Sequence, residues 1–249
     1  MSAQSEFARL ALEGERAALV TVVRGPALGA RMLVRPGGHA DGTLGDAALD
    51  AAARAHAEEL MWAERSELRG ELFVDVTAPP PRLIVFGAVD FAAAVCRVAR
   101  ATGWRPYVVD PRARFATRER FPEAEEVIAA WPEEAIARLG GIDRATYLAV
   151  LTHDPKLDDA ALTLALESDA PYVGAMGSRR AQAARRERLL AAGLREEQLD
   201  RIAAPIGLDI GALGAEETAL SIMAEVVAVR NGREGGRLSR AGGRIHQVA

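Results

Sequence analysis

The chain has 249 residues, 49% of them hydrophobic and 27% charged, with a formal net charge of -4. That is enough for one large domain or two smaller ones around a real core, and too apolar for a disordered chain. The negative balance argues against general nucleic-acid binding, and the single cysteine, Cys96, excludes an internal disulfide or a cysteine-cluster metal site. A reducing compartment follows as the simplest expectation. The opening residues, Met1-Ser2-Ala3-Gln4-Ser5-Glu6, lack the basic and apolar regions of a secretory signal. No apolar run approaches the roughly 20 residues that cross a bilayer. A cytoplasmic protein with no membrane or nucleic-acid partner is expected.

In chain order, residues 17–24 and 30–35 read as strands, with turn chemistry at Gly25-Pro26 and Pro36-Gly37-Gly38. An alanine-, leucine- and glutamate-rich helix is expected over about 46–67, and residues 72–76 close a small α+β unit. Thr77-Ala78-Pro79-Pro80-Pro81 is the clearest seam, since a proline run is extended and lacks donors. The expected domains are therefore 1–77, a linker over 78–81, a second domain over 82–234 and a loose tail over 235–249. After the seam, apolar runs at 83–86, 107–109, 146–151 and 172–173 alternate with helices. Those helices run to about Thr102, from Pro132 to Leu139, from Asp158, from Ser178, and over 215–229, the last ending near Asn231-Gly232. Such alternation implies right-handed βαβ units and a parallel sheet. The fold class is α/β: a small N-terminal α+β domain followed by a Rossmann-like parallel-sheet domain.

The first strand of the second domain leads into Gly87-Ala88-Val89-Asp90-Phe91-Ala92 and a helix, and Asp110 ends the next strand. This is the layout of a dinucleotide-binding unit, with a carboxylate about 20 residues on to grip a ribose hydroxyl. The glycine pattern is broken, however. Val89 puts a branched side chain on the phosphate path and Asp90 puts negative charge near a helix N-terminus. An ordinary NAD(P) cofactor is not expected here; the plainer reading is a turn at Gly87 and a helix capped by Asp90.

Three further loops carry polar chemistry where open α/β sheets bind ligands. In Thr152-His153-Asp154-Pro155-Lys156, Lys156 can meet a phosphate as a point charge and Asp158 can cap the next helix; alternatively His153 and Asp154 pair and close the loop. The cluster His153, Asp154, Asp158 and Asp159 lacks an i,i+4 histidine pair, and no metal is assigned to it. In Gly174-Ala175-Met176-Gly177-Ser178-Arg179-Arg180, Gly177 permits close approach, Ser178 is a good N-cap, and the arginines stand beside amides that would face an anion; the alternative is a capped helix with solvated arginines. Ala204-Pro205-Ile206-Gly207-Leu208-Asp209-Ile210-Gly211 either covers the sheet edge or brings its glycines to a ligand. Glu216 and Glu217 suit the start of the last helix, and Cys96 reads as a buried, inert thiol.

From about Leu83 to Arg230 these blocks resemble the XdhC/CoxI family of accessory proteins of xanthine dehydrogenase and related molybdenum hydroxylases. Val108-Val109-Asp110-Pro111-Arg112, Arg120-Phe121-Pro122 and Ser221-Ile222-Met223-Ala224-Glu225 carry the resemblance together with the three loops. It implies binding of molybdenum cofactor, help with its sulfuration by a cysteine desulfurase, delivery to an apo molybdenum hydroxylase, and a homodimer. In the first domain Gly29-Ala30-Arg31-Met32-Leu33-Val34 fits the family. Gly45-Asp46-Ala47-Ala48-Leu49-Asp50 stands where the family usually has Gly-Gly-Cys-x-Glu, and a second family cysteine is missing, so the chain reads as a divergent member.

The expectation is a maturation factor that holds molybdenum cofactor, or a nucleotide form of it, above the second domain's sheet. Lys156, Arg179 and Arg180 neutralise phosphate, amides near Gly174 and Gly177 donate to it, and Asp110 and Asp209 accept from ribose or pterin. His153 and Asp154 orient the ligand or face the client; Gly87, Arg112, Thr152, Ser178 and Gly207 complete the lining. No covalent catalyst is assigned. Two alternatives stand beside this reading: a nicotinamide-dependent oxidoreductase on the same scaffold, and an assembly or regulatory protein that has lost ligand binding.

Overall fold

Apolar residues on both faces of the first strands build the N-terminal unit. The computed structural model describes residues 2–242, and the chain divides between Pro79 and Pro80 into two units, each described by itself. The first contains α1 (Ala3–Glu13), β1 (Ala17–Val22), β2 (Arg31–Arg35), β3 (His39–Asp41), α2 (Ala47–Ala63), β4 (Glu67–Arg69) and β5 (Leu72–Thr77). Its strands pair antiparallel in the order β3-β2-β1-β5-β4. Ala18, Val20 and Val22 of β1 join Met32, Val34, Leu72 and Val74 under Ala53, Ala57, Leu60 and Met61 of α2. Ala17 and Leu33, half a period away, lie under Leu10 and Phe7 of α1.

The second unit contains β6 (Arg82–Phe86), α3 (Asp90–Ala101), β7 (Arg105–Val109), β8 (Glu126–Ile128), α4 (Pro132–Arg138) and β9 (Thr146–Val150). It continues with α5 (Pro155–Leu166), β10 (Tyr172–Ala175), α6 (Arg179–Ala191), α7 (Glu196–Leu199), β11 (Ile202–Ala203) and α8 (Ala215–Arg230). All its strand pairs are parallel, in the order β11-β10-β9-β6-β7-β8. Both faces are covered, so beyond a polar first residue in β6, β7, β8 and β9 the strands are continuous apolar runs rather than alternating. Leu83 and Val85 face the layer of α3 and α8; Ile84 and Phe86 face the layer of α4, α5 and α6. The winding reverses between β6 and β9, which neighbour each other although β7 and β8 intervene in the chain. The loops leaving those two strands therefore flank the crevice where doubly wound sheets take ligands.

The α/β class and the parallel sheet agree with the sequence reading; several boundaries do not. The helix expected over 46–67 stops at Ala63, because Glu64 turns left-handed (φ 50°), and β4 starts at Glu67. The reading gave no element to α1, which Ser2 caps and Gly14 (φ 71°) ends. It also missed β3, β8, α7 and β11, all short. The helix expected from Asp158 begins at Pro155, capped by the Asp154 side chain. Asp90 is not a cap: Val89 holds that position and Asp90 begins the helix. Of the tail expected to be loose, residues 243–249 lie outside the described ones. Within 235–242, Gly235 lies so close to Leu208 that a Cβ there would come within 2.7 Å of it, and Leu238–Arg240 forms a single helical turn. Cys96 is fully buried in α3, and burial pushes its thiol up to about 12. No described helix is long and apolar enough to cross a membrane.

Candidate functional site

The carboxyl ends of β7, β6, β9 and β10 are neighbours, so the segments they release share one crest of the sheet. At its β6–β7 side the chain leaves β6 through Gly87 at φ 110°. A Cβ there would lie 3.1–3.2 Å from the Thr152 side chain and amide, so glycine is required both by conformation and by the approach of the segment after β9. The Gly87 amide donates to the Val109 carbonyl at 2.9 Å. The next amide, of Ala88, donates to Oδ2 of Asp110 at 2.8 Å.

Asp110 is fully buried. Its Oδ1 accepts from the Arg112 amide (2.9 Å) and Nε (2.8 Å), and its Oδ2 also accepts from Arg112 Nη2 (2.6 Å). Burial pushes the Asp110 carboxyl up, but the Arg112 guanidinium and the two amides outweigh it and hold the group below its ordinary value. The expected ribose or pterin acceptor is thus occupied by the chain's own donors, and Asp110 acts as a strut between the β6 turn and Arg112. Arg112 lies over the Phe115 ring, 5.0 Å from its centroid. Arg120 closes the same turn by donating to the Ala88 carbonyl at 2.9 Å and to the Asp90 carboxylate at 3.0 Å. Asp90 itself supplies negative charge at the start of α3, where a bound anion would otherwise sit.

The β9–β10 side is built differently. Thr152 is buried, and its hydroxyl accepts from the Asp154 amide at 2.8 Å. Asp154 in turn caps α5 by accepting from the Lys156 amide at 3.0 Å, so it does not pair with His153. Pro155 has no amide proton, which leaves α5 with no open donor in its first two positions. His153 and Lys156 are exposed, and neither side chain has a partner among the described residues.

After β10, Ser178 caps α6 as expected by accepting from the Ala181 amide at 3.2 Å. Arg179 and Arg180 are exposed at the first positions of the helix. Of the described helices of eight or more residues, α6 alone has no acid in its first turn. Two cations at the positive end of a helix are locally unfavourable, and its first amides have no intrahelical acceptor. Lys156, Arg179 and Arg180 occupy adjacent segments on one crest. Beneath them α5 and α6 are joined by Arg185–Asp158 (2.8 Å) and Arg188–Asp159 (2.7 Å). Neighbouring strands thus bring three exposed cations and the uncompensated N-terminus of α6 to one stretch of the crest.

Two glycines assigned to ligand approach serve the interior instead. A Cβ on Gly174 would lie 2.5 Å from Ile206 and the Tyr172 hydroxyl, so its space is filled by the segment after β11. Gly207 (φ 101°) would put a Cβ 2.5 Å from Ser221 Oγ, and its amide donates to Glu225 at 2.9 Å. The 204–211 segment is therefore docked on α8, with Asp209 exposed on its outer side. Gly177, at φ 136°, also has neighbours within the chain: a Cβ would be 3.3 Å from Ala181 and Gln182. The sequence reading missed Gln182 and Arg185, and Asp158 proves to be a buried ion-pair partner rather than a cap. No group of three or more His, Cys, Asp or Glu among the described residues is arranged to hold a metal.

Comparisons with known proteins agree with this architecture. The XdhC Rossmann domain model matches residues 83–226, and the XdhC and CoxI family model matches residues 10–70. The chain is 31% identical over 159 residues to a probable xanthine dehydrogenase subunit of Bacillus subtilis (strain 168), covering 64% of this chain and 46% of that protein. It is 31% identical over 152 residues to "Molybdenum cofactor insertion chaperone PaoD" of Escherichia coli (strain K12), covering 61% and 41%. The chain thus spans less than half the length of these curated relatives. A crystal structure of a xanthine dehydrogenase from Bacillus halodurans aligns over 95% of this chain and 65% of that one, with a TM-score of 0.62 and 22% identity, a likeness of fold. With both units matched by their models, the chain belongs to the XdhC and CoxI family.

Proposed function

We propose that this protein is an accessory factor of a xanthine dehydrogenase-type molybdenum hydroxylase that holds molybdenum cofactor by its phosphate on the β9–β10 side of the crest. The observation that carries the reading is the acid-free N-terminus of α6, with Arg179 and Arg180 upon it and Lys156 beside it. Arginine offers a planar fork to phosphate, lysine adds a point charge, and the first amides of α6 donate along the helix axis. His153 stands exposed on the neighbouring segment, within reach of a guest or of a client enzyme. Arg112 keeps an exposed edge above its bond to Asp110 and lines the crevice from the other side.

The cofactor is cargo on this reading, and the protein needs no covalent catalyst. Cys96 does not serve as a sulfur relay, because a fully buried thiol with a raised pKa is neither accessible nor ionised. Sulfuration would then depend on a cysteine desulfurase acting on cofactor held by this protein, and delivery would require contact with the apo-enzyme. The name of the E. coli relative, a molybdenum cofactor insertion chaperone, supports this class of activity. A homodimer in the cytoplasm is the setting we propose.

Equilibrium titration of the purified protein with molybdopterin cofactor, freshly released from a molybdenum hydroxylase, tests the reading. The Lys156→Ala/Arg179→Ala variant is expected to melt like wild type and to bind at least about tenfold more weakly, about 1.4 kcal/mol or more. Unchanged affinity would remove the assigned phosphate seat.

A further inference from the structure

Beneath the seat lies an ion pair that the phosphate contacts do not use. Asp158 on α5 and Arg185 on α6 are 3% and 4% exposed, and Arg185 Nη2 stands 2.8 Å from Asp158 Oδ2. The same Nη2 donates to the Met176 carbonyl at 3.0 Å. Arg185 Nη1 donates to Gln182 Oε1. The Gln182 amide nitrogen in turn lies 3.4–3.5 Å from the carbonyls of Ala175, Met176 and Gly177. Three successive carbonyls between β10 and α6 are thus held by donors of α6, whose key arginine is anchored to α5. Gly177 lets the backbone descend onto this network, its absent Cβ being 3.3 Å from Gln182 and 4.0 Å from Arg185.

The pair also leaves bonds unmade. Asp158 Oδ1 and Arg185 Nε are buried without a hydrogen-bond partner among the described residues. An arginine–carboxylate fork would satisfy both atoms at once. The observed geometry forgoes the fork and spends Nη2 on the Met176 carbonyl. Leaving buried polar atoms unpaired is costly, so a pair kept only for stability would be expected to close. Burial raises the Asp158 carboxyl, with Arg185 and the Thr152 hydroxyl opposing the shift.

We propose that the Asp158–Arg185 pair is a latch that fixes the 175–178 segment, and with it the N-terminus of α6, against the Thr152–Lys156 segment. Both are positioning residues. Their effect on cofactor affinity rests on the function proposed above; their effect on the segment does not.

Backbone hydrogen exchange at Met176, Ala181 and Gln182, whose amides donate to Val150, Ser178 and Ser178, provides the test, with and without molybdopterin cofactor. The Asp158→Asn/Arg185→Gln variant removes both charges together, so no lone charge stays buried. Arg185→Lys keeps the charge but loses the planar guanidinium whose Nη1 and Nη2 together reach Gln182, Asp158 and Met176. Both are expected to exchange at least about tenfold faster at these amides, and to bind cofactor about tenfold more weakly, equivalent to about 1.4 kcal/mol. The control Asp159→Asn/Arg188→Gln, which breaks the more exposed bridge, is expected to change neither. Should the double variant fail to fold, Arg185→Lys decides alone. Wild-type exchange in a folded variant overturns the latch. If wild-type protein binds no cofactor, the function proposal falls, and exchange still decides the latch.

Discussion

The two sides of the crest hold similar residues and use them in opposite ways. On the β6–β7 side, Asp110 is bonded to Arg112 and the Ala88 amide, Arg120 to Asp90 and the Ala88 carbonyl, and the start of α3 carries its own carboxylate. On the β9–β10 side, Lys156, Arg179 and Arg180 are exposed, and no partner engages them among the described residues. Both sides are rich in arginine. What separates them is the opposing charge: the chain supplies it on one side and leaves the cations exposed on the other. A Rossmann crest can therefore retain its dinucleotide layout while its exposed cations gather at a neighbouring pair of strands.

Asp110→Ala should break the closed side most severely. It leaves the Ala88 amide buried without an acceptor and frees Arg112, which is exposed enough to rehydrate. A loss of about 2 kcal/mol in unfolding free energy is expected by denaturant titration. The pH dependence has a definite sign. The folded pKa of Asp110 lies below its ordinary value, so its contribution is present above about pH 4 and fades as pH falls through the folded value. Wild type and variant should thus converge in acid, and a constant difference down to low pH would show that the carboxylate is not what stabilises the turn. A smaller loss, about 1–2 kcal/mol, is expected for Gly87→Ala, from a positive φ and contact with Thr152. Thermal or denaturant unfolding of that variant checks whether the two segments meet as closely as described.

How far the sequence foretold these uses depends on the range of each interaction. Local signals were legible: Ser178 as a cap, Pro132 at a helix start, and the apolar runs of β6, β7, β9 and β10. Strands of two or three residues, such as β8 and β11, offer no period to detect. Asp110 and Arg112 are two residues apart, but only the fold shows that the carboxylate turns inward to its own neighbour. The glycines were visible without their purposes: Gly174 makes room for Ile206, 32 positions on by the numbering, and Gly207 for Ser221. Asp158 and Arg185 are 27 residues apart, and each reads alone as an ordinary helix charge. The adjacency of the cation-bearing segments was legible, because order along the chain and order across β9 and β10 coincide there.

Restoring the glycine that the β6 turn lacks gives the finest test of the comparison. Val89→Gly removes the branched side chain at little conformational cost, since Val89 is an extended N-cap residue with φ -103°, while giving up its packing against the core under α3 and α8. If side-chain bulk alone closed this turn, the variant should gain affinity for NADH or NADPH. The structure gives a second reason for closure that the substitution leaves intact. The Ala88 amide still donates to Asp110, and the Asp90 carboxylate still occupies the start of α3. An anion would have to displace one carboxylate and approach the other, which like-charge repulsion opposes. The expected outcome is no saturable change in nicotinamide fluorescence up to about 1 mM. Binding by Val89→Gly would show that bulk, rather than internal charge pairing, sets the two sides of the crest apart.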